Sequence, residues 1–400
     1  MGSGSVDFEA LYAERVRSQP FRLPRPIVPY DFAVGHPDAS RFPTRELGEA
    51  TMRMLEREGP DLAIYPGESA HRAARELVAA KTKAAEDLDI PLSRITITSG
   101  SLQGLQMIAE TFVNPGDTII VDEFTYTGAM RAFNLCQPRY ATVPTDDEGV
   151  VVEELARLLD RLATEQVTPK FMYVIPSFQN PTGAYMGLER RRALARLADE
   201  RGLLIIDDDV YGDLVYEGET ATTLYALSQT DNVIRLGTFS KIVAAGVRLG
   251  WMIAPEPVLA RMATARVDGG TSSFSSRAVA EYLNTRVDER IDTLIDVYRT
   301  KRDIMFDALE THLGAVATWS RPRGGLFVWV RLPEGYDTVA MLPAAQAAGV
   351  DYLPGPEFSP TGDGANYLRL SFAWLAPEAI RTGIALLAGV IEEAAPGLVS

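Results

Sequence analysis

A cluster of side chains suited to binding a phosphate follows a predicted strand in the second half of the chain. Residues 232–236 are apolar and β-branched at their centre, which is typical of a buried strand. Thr238 and Ser240 then offer hydroxyl donors, and Arg248 offers a guanidinium that can bind a phosphate through paired hydrogen bonds. Lys241 lies among them. Such a lysine is usually a solvated surface charge, but beside a phosphate its amine could form a Schiff base with an aldehyde.

This pairing of an amine with a phosphate site predicts a particular cofactor. Pyridoxal phosphate (PLP) is a phosphorylated aldehyde that enzymes hold on a lysine. We therefore expect PLP on Lys241. The rest of the chain must then supply the groups that hold the ring of the cofactor and the substrate.

Polar segments follow four more predicted strands. These strands cover residues 94–98, 117–122, 171–175 and 203–206, and the patterns between them favour helices. The alternation over residues 90–255 predicts an α/β fold with a mainly parallel sheet flanked by helices, in which ligands bind beyond the carboxyl ends of the strands. All the polar segments fall at such ends: residues 99–104, 123–128, 176–183, 207–211 and 237–248.

Two of these polar segments could bind charged groups, one an anion and the other a cation. Ser101 lies where a glycine turn meets a predicted helix, and the free N–H groups of a helix start can bind an anion. The same pattern is also an ordinary helix cap. Residues 207–209 are three successive aspartates, which would repel one another if all faced one side. We expect at least one of them to meet a cation, and the alternative is three solvated loop acids.

After residue 251 the pattern changes to that of a smaller α+β unit. A long amphipathic helix is followed by two strands, and a last helix ends the pattern. Arg369 interrupts the second of these strands, so it either points to solvent at an edge or binds an anion. The predicted elements are a helix over 285–313, strands over 326–330 and 367–372, and a helix over 377–393.

These patterns divide the chain into three predicted parts. The prolines of residues 6–30 favour an extended arm over a packed element. The predicted parts are an N-terminal arm over 1–45 that joins the small domain, a large PLP-binding domain over 46–285 and a small C-terminal domain over 286–400.

Composition narrows the class of protein. There are 54 Asp and Glu residues against 39 Lys and Arg, a net charge of −15, which argues against binding to nucleic acid or to an anionic membrane and favours a cytoplasmic protein. No apolar run reaches the roughly 18 residues that a membrane helix needs. The single cysteine excludes an intrachain disulfide, and the 3 histidines show no ligand spacing, so we expect no metal site.

With these residues assembled, the chain resembles the fold type I PLP enzymes. Within them it is similar to the class I and II aminotransferases of the 2-aminoadipate and kynurenine aminotransferase branch, from about residue 31 to residue 391. The likeness rests on motifs that are specific in combination: residues 99–103, 179–183, 207–211, 237–241 with Arg248, 324–327 and 368–371.

The resemblance implies a role for each matching residue around the cofactor ring. Lys241 would form the internal aldimine with PLP and, once released, move the proton from the substrate Cα. Asp208 would keep the pyridine nitrogen protonated, which makes the ring a better electron sink. Asn180 and Tyr211 would hold the phenolic oxygen of the ring, and Tyr126 would stack on it. We expect Lys241, Asp208 and Tyr211 to be the catalytic residues.

The same resemblance assigns the phosphate site. The backbone N–H groups of Ser101 and Leu102 would bind the phosphate, together with the side chains of Thr238, Ser240 and Arg248.

The resemblance also implies a shared site and a substrate clamp. Tyr65 matches the tyrosine that reaches the phosphate from the neighbouring subunit, which implies a homodimer. Arg369 matches the arginine that binds the substrate α-carboxylate, with Gly35 and Asn180 nearby.

The chain departs from the family pattern at a few positions. Ala245 stands where proline commonly precedes Gly246, which should loosen the turn without removing chemistry. His71 stands where the family often has leucine, and His36 lies beside Gly35; both are more often structural than catalytic. A histidine near the substrate would nevertheless suit a reaction other than transamination.

The implied function is a PLP-dependent aminotransferase that moves an amino group between an L-amino acid and a 2-oxo acid. The same groups can support elimination or replacement, decarboxylation or oxidative deamination, because all begin from the same cofactor-bound intermediate. A further alternative is an aminotransferase-like effector domain of a transcription regulator. We rank it below the enzyme because about 30 residues precede Asp31, without a helix-turn-helix pattern, and the net charge is −15.

Overall fold

The elements of the fold alternate between strand and helix as the sequence predicts. The structure is a computed structural model, and it describes residues 6–17, 19, 24–266, 270–284 and 286–395. The strands are β1 Tyr30–Asp31, β2 Ile95–Thr98, β3 Thr118–Asp122, β4 Arg139–Val143, β5 Thr145–Asp146, β6 Gly149–Val150, β7 Met172–Val174, β8 Ile205–Asp208, β9 Val233–Thr238, β10 Gly250–Ile253, β11 Thr318–Trp319, β12 Phe327–Arg331, β13 Val350–Asp351, β14 Leu353–Pro354 and β15 Tyr367–Ser371.

The helices lie between these strands and at both ends of the described chain. They are α1 Phe8–Leu11, α2 Glu14–Arg17, α3 Thr44–Glu58, α4 Arg72–Glu86, α5 Ser101–Phe112, α6 Thr127–Asn134, α7 Val152–Thr164, α8 Leu188–Arg201, α9 Leu224–Leu227, α10 Glu256–Ala265, α11 Ser273–Leu283, α12 Val287–Leu313, α13 Thr338–Ala347 and α14 Pro377–Glu393.

A seven-stranded sheet in the order β2-β10-β9-β8-β7-β3-β4 forms the centre of the larger part. Strand β10 pairs antiparallel with both β2 and β9, and the other pairs of neighbours are parallel. The predicted mainly parallel sheet is therefore confirmed. Because all strands except β10 run in one direction, the polar segments that follow them meet at one edge of the sheet.

Helices cover both faces of this sheet, which explains the nearly continuous apolar runs of its strands. Along β3, Ile119 and Val121 belong to one buried cluster, whereas Ile120 between them belongs to a second cluster. Along β8, Ile206 and Ile205 divide in the same way. Successive side chains of a strand point to opposite faces, so both faces are packed against helices and the sheet is rigid where it supports the polar segments.

A four-stranded antiparallel sheet in the order β11-β12-β15-β14 forms the centre of the smaller part. Strand β15 lies between β12 and β14, so it is not an edge strand. Strand β1 pairs in parallel with β13, and Arg25 forms an ion pair with Asp351 at 2.9 Å. The end of the predicted arm is thus hydrogen-bonded to the C-terminal part of the chain.

The domain boundaries after residues 45 and 285 stay predictions. Residues 1–5, 18 and 20–23 of the predicted arm, residues 267–269 and 285 of the predicted large domain, and residues 396–400 at the end of the chain lie outside the described residues.

Two details of the predicted elements are wrong. The arm is not extended throughout, since α1 and α2 each form one helical turn without a buried side chain. The apolar spacing of residues 46–57 also predicts a helix with Leu47, Met52 and Leu55 on its inner face, and this helix is α3. Met52 is nevertheless 57% exposed, whereas Ala50 and Met54 are fully buried. Met52 lies five residues after Leu47, which at 3.6 residues per turn is about 140° around the helix. It therefore belongs to the outer face.

The described residues contain neither a membrane-spanning helix nor a metal-binding cluster. No helix there has the length and apolar character needed to cross a bilayer. The same residues contain no cluster of three or more His, Cys, Asp or Glu side chains placed to hold a metal ion.

Candidate active site

A cavity of about 370 Å³ lies at the carboxyl edge of the large sheet, where the smaller sheet faces it. Its volume is within the range of small-molecule sites. With the exception of Tyr65, every side chain assigned to the site from the sequence lines it: Gly35, Ser101, Leu102, Tyr126, Asn180, Asp208, Tyr211, Thr238, Ser240, Lys241, Arg248 and Arg369.

Lys241 follows β9 and extends into this cavity. Its Nζ donates a hydrogen bond to the Gly35 carbonyl oxygen at 2.8 Å and lies 5.7 Å from the centre of the Tyr211 ring. Burial lowers the pKa of Lys241 to about 8, and the positive charges of Arg369 and Arg248 act in the same direction. A larger share of this amine is neutral at physiological pH than of an exposed lysine, and the neutral form is the nucleophile.

Asp208 ends β8 and is completely buried below the same cavity. Its Oδ2 accepts a hydrogen bond from the Tyr173 hydroxyl at 2.7 Å, whereas its Oδ1 has no hydrogen-bond partner among the described residues. Burial raises the pKa of Asp208 to about 7, although the Tyr173 hydrogen bond favours the ionised form. A buried carboxylate oxygen without a donor fits a protonated ring nitrogen as its partner.

Tyr173 is a residue of the site that the sequence analysis missed. It lies in β7 opposite Ile206 of β8, and Asp208 follows Ile206 by two residues on the same face of the sheet. The sequence of each strand shows which side chains share a face, because side chains alternate between the two faces. It does not show the pairing register of β7 and β8, which brings Tyr173 next to Asp208.

The three successive aspartates have different environments. Asp209 pairs with Arg235 at 2.8 Å, and Arg235 also pairs with Glu86 at 2.9 Å. The prediction that at least one aspartate meets a cation is confirmed. The alternative of three solvated acids is wrong, because Asp207 and Asp208 are buried. Burial, followed by the charge of Asp209, raises the pKa of Asp207.

Glycines allow Arg248 to close over the start of α5. Gly100 precedes this helix with φ of 86° and supplies no side-chain cap, so the first N–H groups point toward the cavity without one. A Cβ on Gly100 would lie 2.7 Å from Arg248 Nη2, and a Cβ on Gly250 would lie 2.7 Å from the Ser101 nitrogen. Thr238 and Ser240 line the cavity beside them. This cradle of donors has the chemistry of a phosphate site.

Arg369 lies in β15 at the opposite end of the cavity. Its Nη1 donates to Asn180 Oδ1 at 3.1 Å, its Nη2 donates to the Ala33 carbonyl oxygen, and its guanidinium lies 4.1 Å from the centre of the Phe327 ring. The side chain is buried in an internal strand, so the alternative of an edge residue in solvent is wrong. Burial lowers the pKa of Arg369 to about 10. No carboxylate pairs with it among the described residues, and such a cation is suited to an incoming anion.

Gln179 fixes the loop that carries Asn180, a function that the sequence did not reveal. Its Nε2 donates to Asp122 Oδ2 at 3.1 Å, and its Oε1 accepts from the Thr182 nitrogen at 2.9 Å. The side chain therefore joins the loop after β7 to the end of β3. Gln179 lies in the motif 179–183, but its partners come from a distant part of the chain.

The structure places three further residues differently with respect to the cavity: Tyr65, His71 and His36. Tyr65 is 90% exposed and does not line the cavity of its own chain. His71 also lies outside the cavity, where burial and neighbouring arginines lower its pKa to about 4. His36 lines the cavity, and its ring packs edge-on against Trp374 with 5.6 Å between ring centres.

The residues of the cavity fit PLP. One space is lined by a cradle of donors for the phosphate, by a lysine amine and by a buried carboxylate oxygen that has no partner among the residues that the structure describes. Gly35 adds to the fit, since a Cβ there would lie only 2.9 Å from the Phe327 ring, so a larger residue would meet this wall of the cavity.

Comparison with known proteins identifies relatives along nearly the whole chain. The family model for aminotransferase class I and II matches residues 29–387. Aromatic-amino-acid aminotransferase 1 of Thermococcus litoralis is 40% identical over 367 residues, which cover 90% of this chain and 87% of that protein.

Solved structures give the same result. The multiple substrate aminotransferase of Thermococcus profundus superposes with a TM-score of 0.91 at 33% identity, covering 97% of this chain and 99% of that one. The α-aminoadipate aminotransferase of Thermus thermophilus, in complex with N-(5′-phosphopyridoxyl)-L-leucine, superposes with a TM-score of 0.89 at 30% identity, with the same coverage. The chain therefore has the fold of the type I PLP enzymes and belongs to the aminotransferase class I and II family.

Proposed function

We propose that the chain binds PLP in the 370 Å³ cavity and transfers an amino group from an L-amino acid to a 2-oxo acid. The observation that carries the proposal is the meeting of Lys241, Asp208 and Arg369 in one cavity. PLP would supply an aldehyde that takes up the amino group and a ring that withdraws electrons from the substrate Cα.

The catalytic roles follow from the position of each side chain. Asp208 holds a proton at the ring nitrogen through Oδ1, which has no hydrogen-bond partner in the described part of the chain. Lys241 moves a proton at the substrate Cα, for which a pKa of about 8 is suitable. Asn180 and Tyr211 orient the ring from the side of its phenolic oxygen, and Tyr126 packs against its face.

The binding roles lie at the two ends of the cavity. The N–H groups of Ser101 and Leu102 bind the phosphate together with Thr238, Ser240 and Arg248. Arg369 binds the α-carboxylate of the substrate, and Gly35 leaves room for the substrate beside Lys241.

Transamination is favoured over the other reactions of this cofactor. Elimination, decarboxylation and oxidative deamination would use the same three residues, so the cavity does not separate them. Two relatives that match 90% and 88% of this chain, at 40% and 33% identity, are aminotransferases, which favours transfer of the amino group. The first relative acts on aromatic amino acids, so these are the first donors to test.

The proposal includes a cytoplasmic homodimer with shared active sites. Tyr65 is exposed in the single chain and does not line its own cavity, which agrees with a role in the cavity of a neighbouring subunit. The net charge of −15 agrees with a cytoplasmic enzyme.

Two measurements test the proposal. Borohydride reduction of the protein with PLP should add the cofactor mass to the peptide that contains Lys241, and Lys241→Ala should abolish this adduct while Lys83→Ala at an exposed ion pair retains it. In a single turnover, an amino acid should yield pyridoxamine phosphate and its 2-oxo acid in equal amounts. Release of ammonia with uptake of oxygen and without pyridoxamine phosphate would instead identify an oxidase.

A further inference from the structure

A second cavity of about 330 Å³ adjoins the catalytic cavity. The loop over residues 36–42, the turn over residues 243–246 and Trp374 form its walls. His36 and Ala245 line both cavities, so these two residues form the boundary between them. The second cavity is therefore next to the place where Lys241 acts.

The walls of this second cavity are apolar and aromatic. Phe42 and Trp374 are 43% and 39% exposed, respectively, which is high for side chains of this size. The ring of His36 packs edge-on against Trp374 at an interplanar angle of 72°. Burial and the charge of Lys241 lower the pKa of His36, which favours the neutral form of its ring. These rings offer edges and faces to another ring.

The charges of this cavity are already compensated. Asp38 is the charged residue among those that line it, and its carboxylate pairs with Lys301 at 2.7 Å. Its backbone N–H is likewise bonded to the Tyr298 hydroxyl at 3.1 Å. No lysine or arginine is among the described residues that line the second cavity. An acidic group entering it would lose its hydration without gaining a cation, which is costly.

The backbone segment 33–36 connects the second cavity to the groups that bind the substrate. Arg369 donates to the Ala33 carbonyl oxygen, and Lys241 Nζ donates to the Gly35 carbonyl oxygen at 2.8 Å. A substrate with its carboxylate at Arg369 and its Cα at Lys241 thus lies along this segment. The next residue along the segment is His36, at the boundary with the second cavity.

We propose that the second cavity is the subsite for the substrate side chain and that it selects amino acids with large uncharged side chains, aromatic ones above all, over acidic ones. This inference rests on the proposed function, since it assigns the substrate class of the same reaction. Small side chains such as that of alanine would not reach the subsite and provide an internal reference.

The test compares kcat/KM for L-phenylalanine, L-alanine and L-2-aminoadipate in the enzyme loaded with PLP. The unaltered protein should prefer L-phenylalanine. Phe42→Ala and Trp374→Ala should each lower kcat/KM for L-phenylalanine about tenfold or more, the scale of lost contacts in an apolar pocket, and leave L-alanine within about twofold. Leu386→Ala, a partly exposed leucine of α14 outside this cavity, is the control and should change neither.

A variant that fills the subsite gives an independent result. A Cβ on Gly246 would meet no atom within 4 Å, so Gly246→Leu can be accommodated and should reduce turnover of L-phenylalanine selectively. A preference of the unaltered protein for L-2-aminoadipate, or equal losses for L-phenylalanine and L-alanine in these variants, would overturn the subsite. Neither outcome would contradict the proposed function. That function would be wrong if no amino acid were converted to its 2-oxo acid.

Discussion

Burial controls the charge of the groups that line the catalytic cavity. Partly buried Lys241 and fully buried Asp208 both line the catalytic cavity, and burial moves the pKa of the amine down and that of the carboxyl up. Each value therefore approaches the pH at which the enzyme would work, which suits groups that hold and release protons. The Tyr173 hydroxyl opposes the shift at Asp208 by donating to the ionised form.

Tyr173→Phe tests the importance of this hydroxyl. The ring would stay in the core, but Asp208 would lose its donor and its pKa should rise further, so its ionised form would be less available to a protonated ring nitrogen. We expect the affinity for PLP to fall about tenfold, the scale of a hydrogen bond to a charged group. The dissociation constant from quenching of protein fluorescence measures this change.

A tyrosine outside the site provides the control for that experiment. The Tyr140 hydroxyl donates to Asn134 Oδ1 at 2.7 Å and does not line the catalytic cavity. Tyr140→Phe should leave the affinity for PLP unchanged. Equal affinities in Tyr173→Phe and the unaltered protein would show that the hydroxyl does not support Asp208.

Arg369→Lys tests the substrate clamp. A lysine keeps the positive charge but loses the planar fork that binds both oxygens of a carboxylate. We expect kcat/KM for the amino acid to fall about 100-fold, with affinity for PLP retained, as for a lost charged hydrogen-bond pair. Arg331→Lys in the neighbouring strand β12, where the side chain is exposed, is the matched control. A loss of similar size in both variants would argue against a specific clamp.

The identity of the residues in the cavity could be read from the sequence, whereas their partners could not. Lys241, Arg248 and Asp208 were recognisable because each follows an apolar strand in a motif. The Tyr173 and Gln179 contacts join segments that are far apart in the chain, and they depend on the register between strands. Local patterns contain no information on that register.

Close packing between elements positions the phosphate cradle. Strand β10 lies between β9 and β2, and Gly250 at its start faces the turn before α5. Gly250→Ala would place a methyl group 2.7 Å from the backbone of Gly100 and Ser101. We expect this variant to lower the increase in Tm that PLP causes, because α5 would be displaced from the cavity. Thermal unfolding with and without PLP measures it.

Gly48→Ala in α3 is the control for Gly250→Ala, because the same substitution causes no steric conflict there. A Cβ on Gly48 meets nothing within 4 Å. In a helix interior, alanine is about 0.5–1 kcal/mol more favourable than glycine. Tm should therefore rise slightly, and the effect of PLP on Tm should be unchanged. If Gly250→Ala behaved like Gly48→Ala, the cradle would not depend on this contact.

Asp207 makes the stability of the β8–β9 pair dependent on pH. Its pKa in the unfolded chain is near 3.8, and burial raises it in the folded protein. Between the two values the folded state binds more protons, so stability is fully present below the unfolded pKa and falls as pH rises through the folded pKa. Asp207→Asn removes this dependence, and its Tm relative to the unaltered protein should be higher at pH 8 than at pH 5.

Asp87, an exposed aspartate, is the control, because its pKa is lowered in the folded protein and not raised. The ion pair with Lys83 lowers the pKa of Asp87, so this carboxylate stabilises the fold above its unfolded pKa. Asp87→Asn should therefore not gain stability at pH 8. A pH-independent Tm difference for Asp207→Asn would mean that Asp207 is ionised in the fold at both pH values.

Elements with a strong period were predictable, and exposed faces were not. The bounds of α14 agree with the predicted helix over 377–393, and Pro377 marks its start. Met52 was misassigned, since an exposed methionine and a buried one look the same in a single sequence.

The whole molecule exposes large side chains between α3 and α4 that a single chain does not cover. Ile64 and Tyr65 lie in this segment and are 71% and 90% exposed. Isolated exposed apolar residues are normal, but neighbouring ones that are exposed to this extent are typical of a surface that contacts a partner. This agrees with the proposed homodimer, in which Tyr65 would reach the neighbouring cavity.

Mixing two inactive variants tests this shared arrangement at the level of the whole molecule. In Lys241→Ala no cavity has its amine, and in Tyr65→Ala every cavity lacks the tyrosine supplied by the other subunit. A heterodimer of the two has both defects in one cavity and neither in the other. After unfolding and refolding an equal mixture, we expect roughly a quarter of the unaltered activity, since half of the dimers are mixed and each has one intact cavity of two.

The activity recovered in the mixture shows whether Tyr65 acts in the cavity of the neighbouring subunit or in that of its own chain. If Tyr65 acted on the cavity of its own chain, a mixed dimer would contain one cavity without Lys241 and one without Tyr65, and no activity would return. Tyr65→Phe combined with the same partner separates the hydroxyl from the ring. Full activity of Tyr65→Phe alone would mean that the tyrosine contributes packing between subunits and no hydrogen bond to the phosphate, because only the hydroxyl can donate one.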